Sequence, residues 1–193
     1  MNQRTDEPGP LAETRAWVDQ VVIGLNLCPF AKAVQAKGQI RYVVSDAADA
    51  ASLLAELRSE MRALAEADPG QIDTTLLIHP GVLRNFLEFN EFLAVAEDAV
   101  EQEGLTGILQ VASFHPRFQF AGTAADDIGN ATNRSPYPTL HLLREESVDK
   151  AVAAFPLAEM IYEKNIRTLN ELGAAGWAEL EAQYRGKARR SPS

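Results

Sequence analysis

The sequence predicts an α/β (or α+β) fold: a small sheet of three to four mostly parallel strands, flanked by helices, with extra C-terminal helices. Three observations carry this. Short apolar, β-branched runs recur at 39–45 (QIRYVVS), 74–78 (TTLLI) and 108–114 (ILQVASF), each bounded by turn-forming residues. The intervening stretches are patterned at helical spacing. From Thr139 onward the pattern is helical again. Strands that alternate with helices are ordinarily parallel and joined by right-handed crossovers. A ferredoxin-like α+β sandwich is the alternative.

Taken in order, residues 1–10 set Pro8, Gly9 and Pro10 among charges and read as a loose N-terminus. In LAETRAWVDQVVIGLNLC, Trp17, Val21, Leu25 and Cys28 share a helical stripe. Pro29 disfavours helical geometry at Cys28, so this helix should end by about Asn26. After the first strand, Asp46 or Asp49 can cap a helix whose stripe is Leu53, Leu57, Met61 and Leu64, with Pro69-Gly70 ending it. The strand at Thr74–Ile78 leads through His79-Pro80-Gly81 into a long helix with Phe86, Phe89, Leu93, Ala96 and Val100 inward, closed by Gly104. The strand 108–114 follows, and Phe118–Gly122 is expected to pair back on it as a hairpin. Residues 123–138 lack periodicity and form a long loop, a feature often tied to function. A helix over 139–155 and one or two more over 159–184 complete a single globular domain of residues 11–185. Residues 186–193, with Lys187, Arg189 and Arg190, form a basic flexible tail.

The 193 residues suffice for one sizeable core. A net charge of −9 argues against nucleic acid and anionic membranes as partners. The lone cysteine, Cys28, precludes an internal disulfide and fits a reducing compartment. No apolar leader and no spanning segment is visible, so a soluble cytoplasmic protein is expected.

The strand pattern has a geometric consequence. Parallel strands finish on one edge, about 4.8 Å apart, and ligands of open α/β sheets usually bind there. Ser45-Asp46, His79 and His115 each end a strand and should share that edge. Two of the three histidines thus sit where an apolar strand meets a proline, at His79-Pro80 and His115-Pro116.

The third, His141, would fall in the first turn of the helix expected from Thr139, with Glu145 four residues on along the same face. His79, His115, His141 and Glu145 could together hold zinc or another divalent ion. The competing reading makes each histidine a structural residue bonded to a backbone carbonyl. Asn133, Arg134 and Ser135 precede the same expected helix, where free amides and a guanidinium, with Arg144 nearby, could bind a carboxylate or phosphate. Alternatively Arg134 pairs with Asp126, Asp127 or Glu145 and pins the loop. Cys28 could be a nucleophile with a histidine base, but it follows a helix C-terminus, whose negative end suppresses a thiolate. No Gly-rich phosphate loop and no Gly-x-Ser-x-Gly elbow is present.

Three strings, IGLNLCPFA (23–31), LQVASFHPRFQFAGT (109–123) and NRSPYPTLHLLREES (133–147), resemble the bacterial proteins grouped as domain of unknown function family 1415. The likeness runs from about Thr14 to about Gly173 and covers Cys28, His115, Asn133, Arg134, Ser135 and His141. The resemblance implies a bacterial cytoplasmic protein and brings no activity or cofactor with it.

Two functional readings follow. One is an enzyme on a small anionic metabolite, with His115 and His141 as metal ligands or acid and base, Arg134 as anion clamp, and metal-activated hydrolysis its most concrete form. The other is a non-catalytic ligand- or protein-binding module in which these residues are structural.

Overall fold

The computed structural model describes residues 9–154 and 160–188. The helix α1 (Pro10–Trp17) starts with Pro10 in its first turn, so the chain is ordered slightly earlier than a loose 1–10 end implies. It continues through a π-helical turn, Val18–Ile23, and ends before Asn26, whose φ is +52°. A short helix α2 (Ala31–Ala36) leads to strand β1 (Ile40–Val44).

Helix α3 (Ala50–Glu66) is capped by Asp49, whose carboxylate accepts the Ser52 N–H while Ser52 Oγ accepts the Asp49 N–H. Its stripe, Leu53, Leu57, Met61 and Leu64, is wholly buried. Strand β2 (Thr74–Ile78) is buried along its length. Helix α4 (Phe86–Gln102) is capped by Asn85 and buries Phe89, Phe92, Ala96, Ala99 and Val100. Strand β3 is Leu109–Phe114.

The fourth strand is not the expected hairpin at Phe118–Gly122. It is β4 (Thr139–Arg144), where a helix was expected. Six residues, Thr-Leu-His-Leu-Leu-Arg, are too short for periodicity to separate a buried strand from a buried helix, and Pro138 suits either start. Tertiary pairing decides. β4 inserts antiparallel between β2 and β3, which supply ladder partners on both sides, giving the order β1-β2-β4-β3. The α/β class stands, yet the sheet is mixed: one parallel pair, β1 with β2, and two antiparallel pairs. β1, β2 and β3 still run the same way, so their final residues do share an edge.

Helices cover both faces, and the chain order β-α-β-α-β-β departs from the ferredoxin-like β-α-β-β-α-β. Alternation along the strands sends Leu77, Leu140 and Leu142 into a core with α3 and α4. Leu76 faces the other core, built by Trp17, Val21, Leu169, Trp177 and Tyr184. Those last three belong to α6 (Ile161–Ala188), which follows α5 (Glu145–Ala154) and kinks at Gly173, where φ is +68°. The expected helix ends at Phe155 and Glu159 lie outside the described residues; of the tail expected over 186–193, residues 186–188 continue α6 and the rest lies outside them.

The long loop holds a short 3-10 turn, Ile128–Asn133. Gly129 packs so closely on α6 that a Cβ there would lie 2.7 Å from Ile166 Cδ1. Fully buried Asn130 staples the loop: its Oδ1 accepts from Phe120 N (2.9 Å) and Thr123 Oγ1 (2.9 Å), and its Nδ2 donates to Ala124 O (2.8 Å).

Candidate functional site

The edge where β1, β2 and β3 end is organised by the two His-Pro steps. His79 and His115 extend their strands by one bond each: His79 N–H reaches Pro138 O (3.0 Å) and His115 N–H reaches Asn133 O (3.1 Å). The prolines that follow have no N–H to continue a ladder. Both side chains turn to the α3/α4 face and pack on Phe89, with ring centroids 5.7 Å away for His79 and 5.1 Å for His115.

Their hydrogen bonds fix the tautomers. His79 Nδ1 donates to Val82 O (3.1 Å), and its Nε2 is buried with no hydrogen-bond partner among the described residues. His115 Nδ1 accepts the Arg117 N–H (3.0 Å), so its proton is on Nε2, which donates to Leu83 O (3.3 Å). Burial lowers the pKa of both, that of His79 to about 4, with the Val82 bond opposing and His115 adding to the shift.

His141 is elsewhere. It pairs with Leu76 and Ala112 inside the sheet, on the opposite face and about 10 Å along β3 from His115. Thr74 Oγ1 donates to Leu142 O (2.6 Å) and therefore accepts from His141 Nε2 (2.7 Å). The Phe114 ring packs against it at a tilt, 5.8 Å between centroids, and burial lowers the His141 pKa to about 4. Glu145 starts α5 at the far end of β4, its N–H bonded to Ile108 O (3.0 Å). In a strand His141 and Glu145 are not one helical turn apart, so the structure does not gather His79, His115, His141 and Glu145. Among the described residues, no three His, Cys, Asp or Glu side chains are grouped to hold a metal ion.

The loop residues divide similarly. Arg144 is 8% exposed and lies at the amino edge, opposite the start of β3. Its Nη2 donates to the carbonyls of Leu64 (2.6 Å), Ala67 (2.7 Å) and Ile72 (3.2 Å), tying off the C-terminus of α3. Asn133 Nδ2 reaches Ser113 O (3.4 Å), and buried Ser135 Oγ donates to Tyr137 O (2.6 Å). Half-buried Cys28 sits in the turn after the π-helical segment, its carbonyl accepting the Ala31 N–H (3.2 Å).

Arg134 alone of these residues lines a cleft, of about 500 Å³, between the start of α4 and the chain after β3. Its Nε donates to Phe118 O (3.2 Å) and its Nη2 to Ala125 O (2.7 Å). Burial lowers its pKa, against the nearby carboxylates of Glu181 and Asp127. The cleft is completed by Asn85, Phe86, Leu87, Pro116, Arg117 and Gln119. None of these six is among the site candidates expected from the sequence, where Phe86 stands only as a core-facing residue. The signal was available for two: Arg117 directly follows a His-Pro strand end, and Asn85 is a helix cap.

Across residues 10–179 the chain matches a family model described as a protein of unknown function, DUF1415. No curated protein and no solved structure matches it. No helix among the described residues is long and apolar enough to cross a membrane. With the match spanning most of its length and all three strings that carried the resemblance, the chain belongs to the DUF1415 family.

Proposed function

We propose that the protein binds a small anionic molecule in the cleft between the start of α4 and the end of β3, with Arg134 holding the negative group. One observation carries the reading. The Arg134 guanidinium is oriented by two backbone carbonyls, which engage two of its five N–H donors. The Nη1 pair and the second Nη2 hydrogen remain, in the planar fork that suits carboxylate or phosphate. A guanidinium already held in place loses little freedom on binding. Exposed Arg117 adds positive charge on the cleft wall, and the carboxyl edge of a sheet is where such ligands gather.

The histidines support a binding role over acid–base chemistry. Both ring nitrogens of His115 are engaged by backbone, and it joins the two walls of the cleft. A hydrolytic metal site would need His141 and Glu145 in the same shell, and the geometry offers no support for that.

Calorimetric titration of the full chain with inorganic phosphate, acetate and succinate tests the reading. Binding of at least one anion is expected, weakened about tenfold by R134Q and several-fold by R117Q, the second at an unchanged melting temperature. No binding of any of the three, or binding untouched by both variants, overturns it.

A further inference from the structure

We infer that the anion taken by this cleft is amphipathic: a monocarboxylate with an alkyl or aryl body. The inference rests on the anion-binding reading above and names the rest of the ligand. The walls are of two kinds. Arg134, Arg117 and Gln119 supply the polar side, while Phe86, Leu87 and Pro116 supply an apolar one.

The apolar side is not leftover core. Phe86 is half-buried, anchored against His115 (5.4 Å between centroids) and Phe118 (5.4 Å). Leu87, beside it in the first turn of α4, is 70% exposed. Acidic or capping residues usually occupy such a turn, and a leucine there adds nothing to the helix end. A single exposed leucine needs no explanation. Leu87 differs in standing next to an anchored phenyl ring and a proline, on the rim of a cleft with two guanidinium groups. A volume of about 500 Å³ lies in the range of small-molecule sites and exceeds what a bare carboxylate or phosphate fills.

Charge selects a monoanion. Two arginines face a chain of net charge −9. The carboxylates of Asp127 and Glu181 already act on Arg134, and Glu88 lies in the first turn of α4. A second or third negative charge on the ligand would meet these groups, whereas one carboxylate matches the open fork of Arg134.

The experiment titrates the full chain with acetate, butyrate, hexanoate and 3-phenylpropionate, with inorganic phosphate alongside. Affinity should rise about twofold per methylene, half the gain of full burial, and 3-phenylpropionate should bind at least tenfold tighter than acetate and phosphate. R134Q should weaken every acid by a similar factor. In L87N the gain per methylene should shrink while the melting temperature holds, since the side chain lies in solvent. If acetate, hexanoate and phosphate bind equally, or affinity falls as the chain lengthens, the amphipathic ligand is wrong while the anion-binding reading stands; a chain-length gain that survives both L87N and F86N overturns the assignment of its apolar body to this wall. If nothing binds, both fail.

Discussion

His115 holds Leu83 in place: its Nε2 donates to the Leu83 carbonyl at 3.3 Å, and Leu83 sits in the left-handed region at φ +54°. A leucine there is strained by about 1 kcal/mol, so the surroundings must impose the conformation. The bond runs from the end of β3 to the turn that enters α4, the two sides of the cleft. Removing the imidazole should therefore loosen both. H115A is expected to cost about 2–4 kcal/mol of stability, from lost packing on Phe86 and Phe89 and an unpaired carbonyl. H115F, which keeps the ring packing, should regain part of the stability but not the anion affinity. Equal binding by wild type and H115F would show that the Leu83 bond does not shape the cleft.

Asn130 sets the other side of the site. It makes three hydrogen bonds that fold residues 120–130 back on themselves, and Ala125, inside that loop, supplies a carbonyl to Arg134. N130A should cost about 2–3 kcal/mol and weaken anion binding, although residue 130 does not line the cleft. Chemical denaturation together with the acetate titration checks both parts.

Arg144 should behave in the opposite way. Its guanidinium serves carbonyls at the C-terminus of α3, at the edge of the sheet remote from Arg134. R144M leaves those buried carbonyls without a donor and should destabilise by about 2–4 kcal/mol. Anion affinity, measured where the variant is fully folded, should be unchanged. Loss of binding in folded R144M would return Arg144 to the binding residues.

Stability should fall with acid before the carboxylates titrate. His79 is held neutral, with a pKa near 4 in the fold, against an ordinary value near 6.5 in the unfolded chain. Between those values the unfolded state binds the extra proton, so stability is complete above about pH 6.5 and declines as pH drops through the window. The contribution of His79 is of order 3 kcal/mol across the full range, and His141, also held near 4, acts in the same direction. Urea unfolding at pH 7, 6 and 5 should show the decline, flattened in H79F. An unchanged slope in H79F would contradict a buried neutral imidazole.

Cys28 is expected to be dispensable. It is half-buried after a helix end, and the ring hydrogen-bond partners of the three histidines are Thr74, Val82, Leu83 and Arg117. C28A should shift the melting temperature by only a few degrees and leave anion binding as it was. A variant that folds but no longer binds would give the thiol a role.

Much of the fold was legible in local chemistry. The Leu53–Leu64 stripe, the Asp49 cap, the strand at Thr74–Ile78 and the end of the first helix before Asn26 all follow from periodicity, capping and the restriction Pro29 imposes. The common edge for His79 and His115 was also legible, because successive strands joined by helices must run one way.

The segment Thr139–Arg144 shows where that reasoning stops. Its residues suit a buried helix and a buried strand equally, and only the open ladder positions on β2 and β3 select the strand. That one choice turns His141 to the opposite face and carries Arg144 and Glu145 to the far edge, dispersing the expected four-residue site. Arg134 keeps its place because the carbonyls of Phe118 and Ala125, distant from it in the chain, hold it there. Local sequence determined which segments are regular and which edge the histidines occupy. Tertiary structure decided which side chains meet, since hydrogen-bond partners and faces are set by neighbours that periodicity does not record.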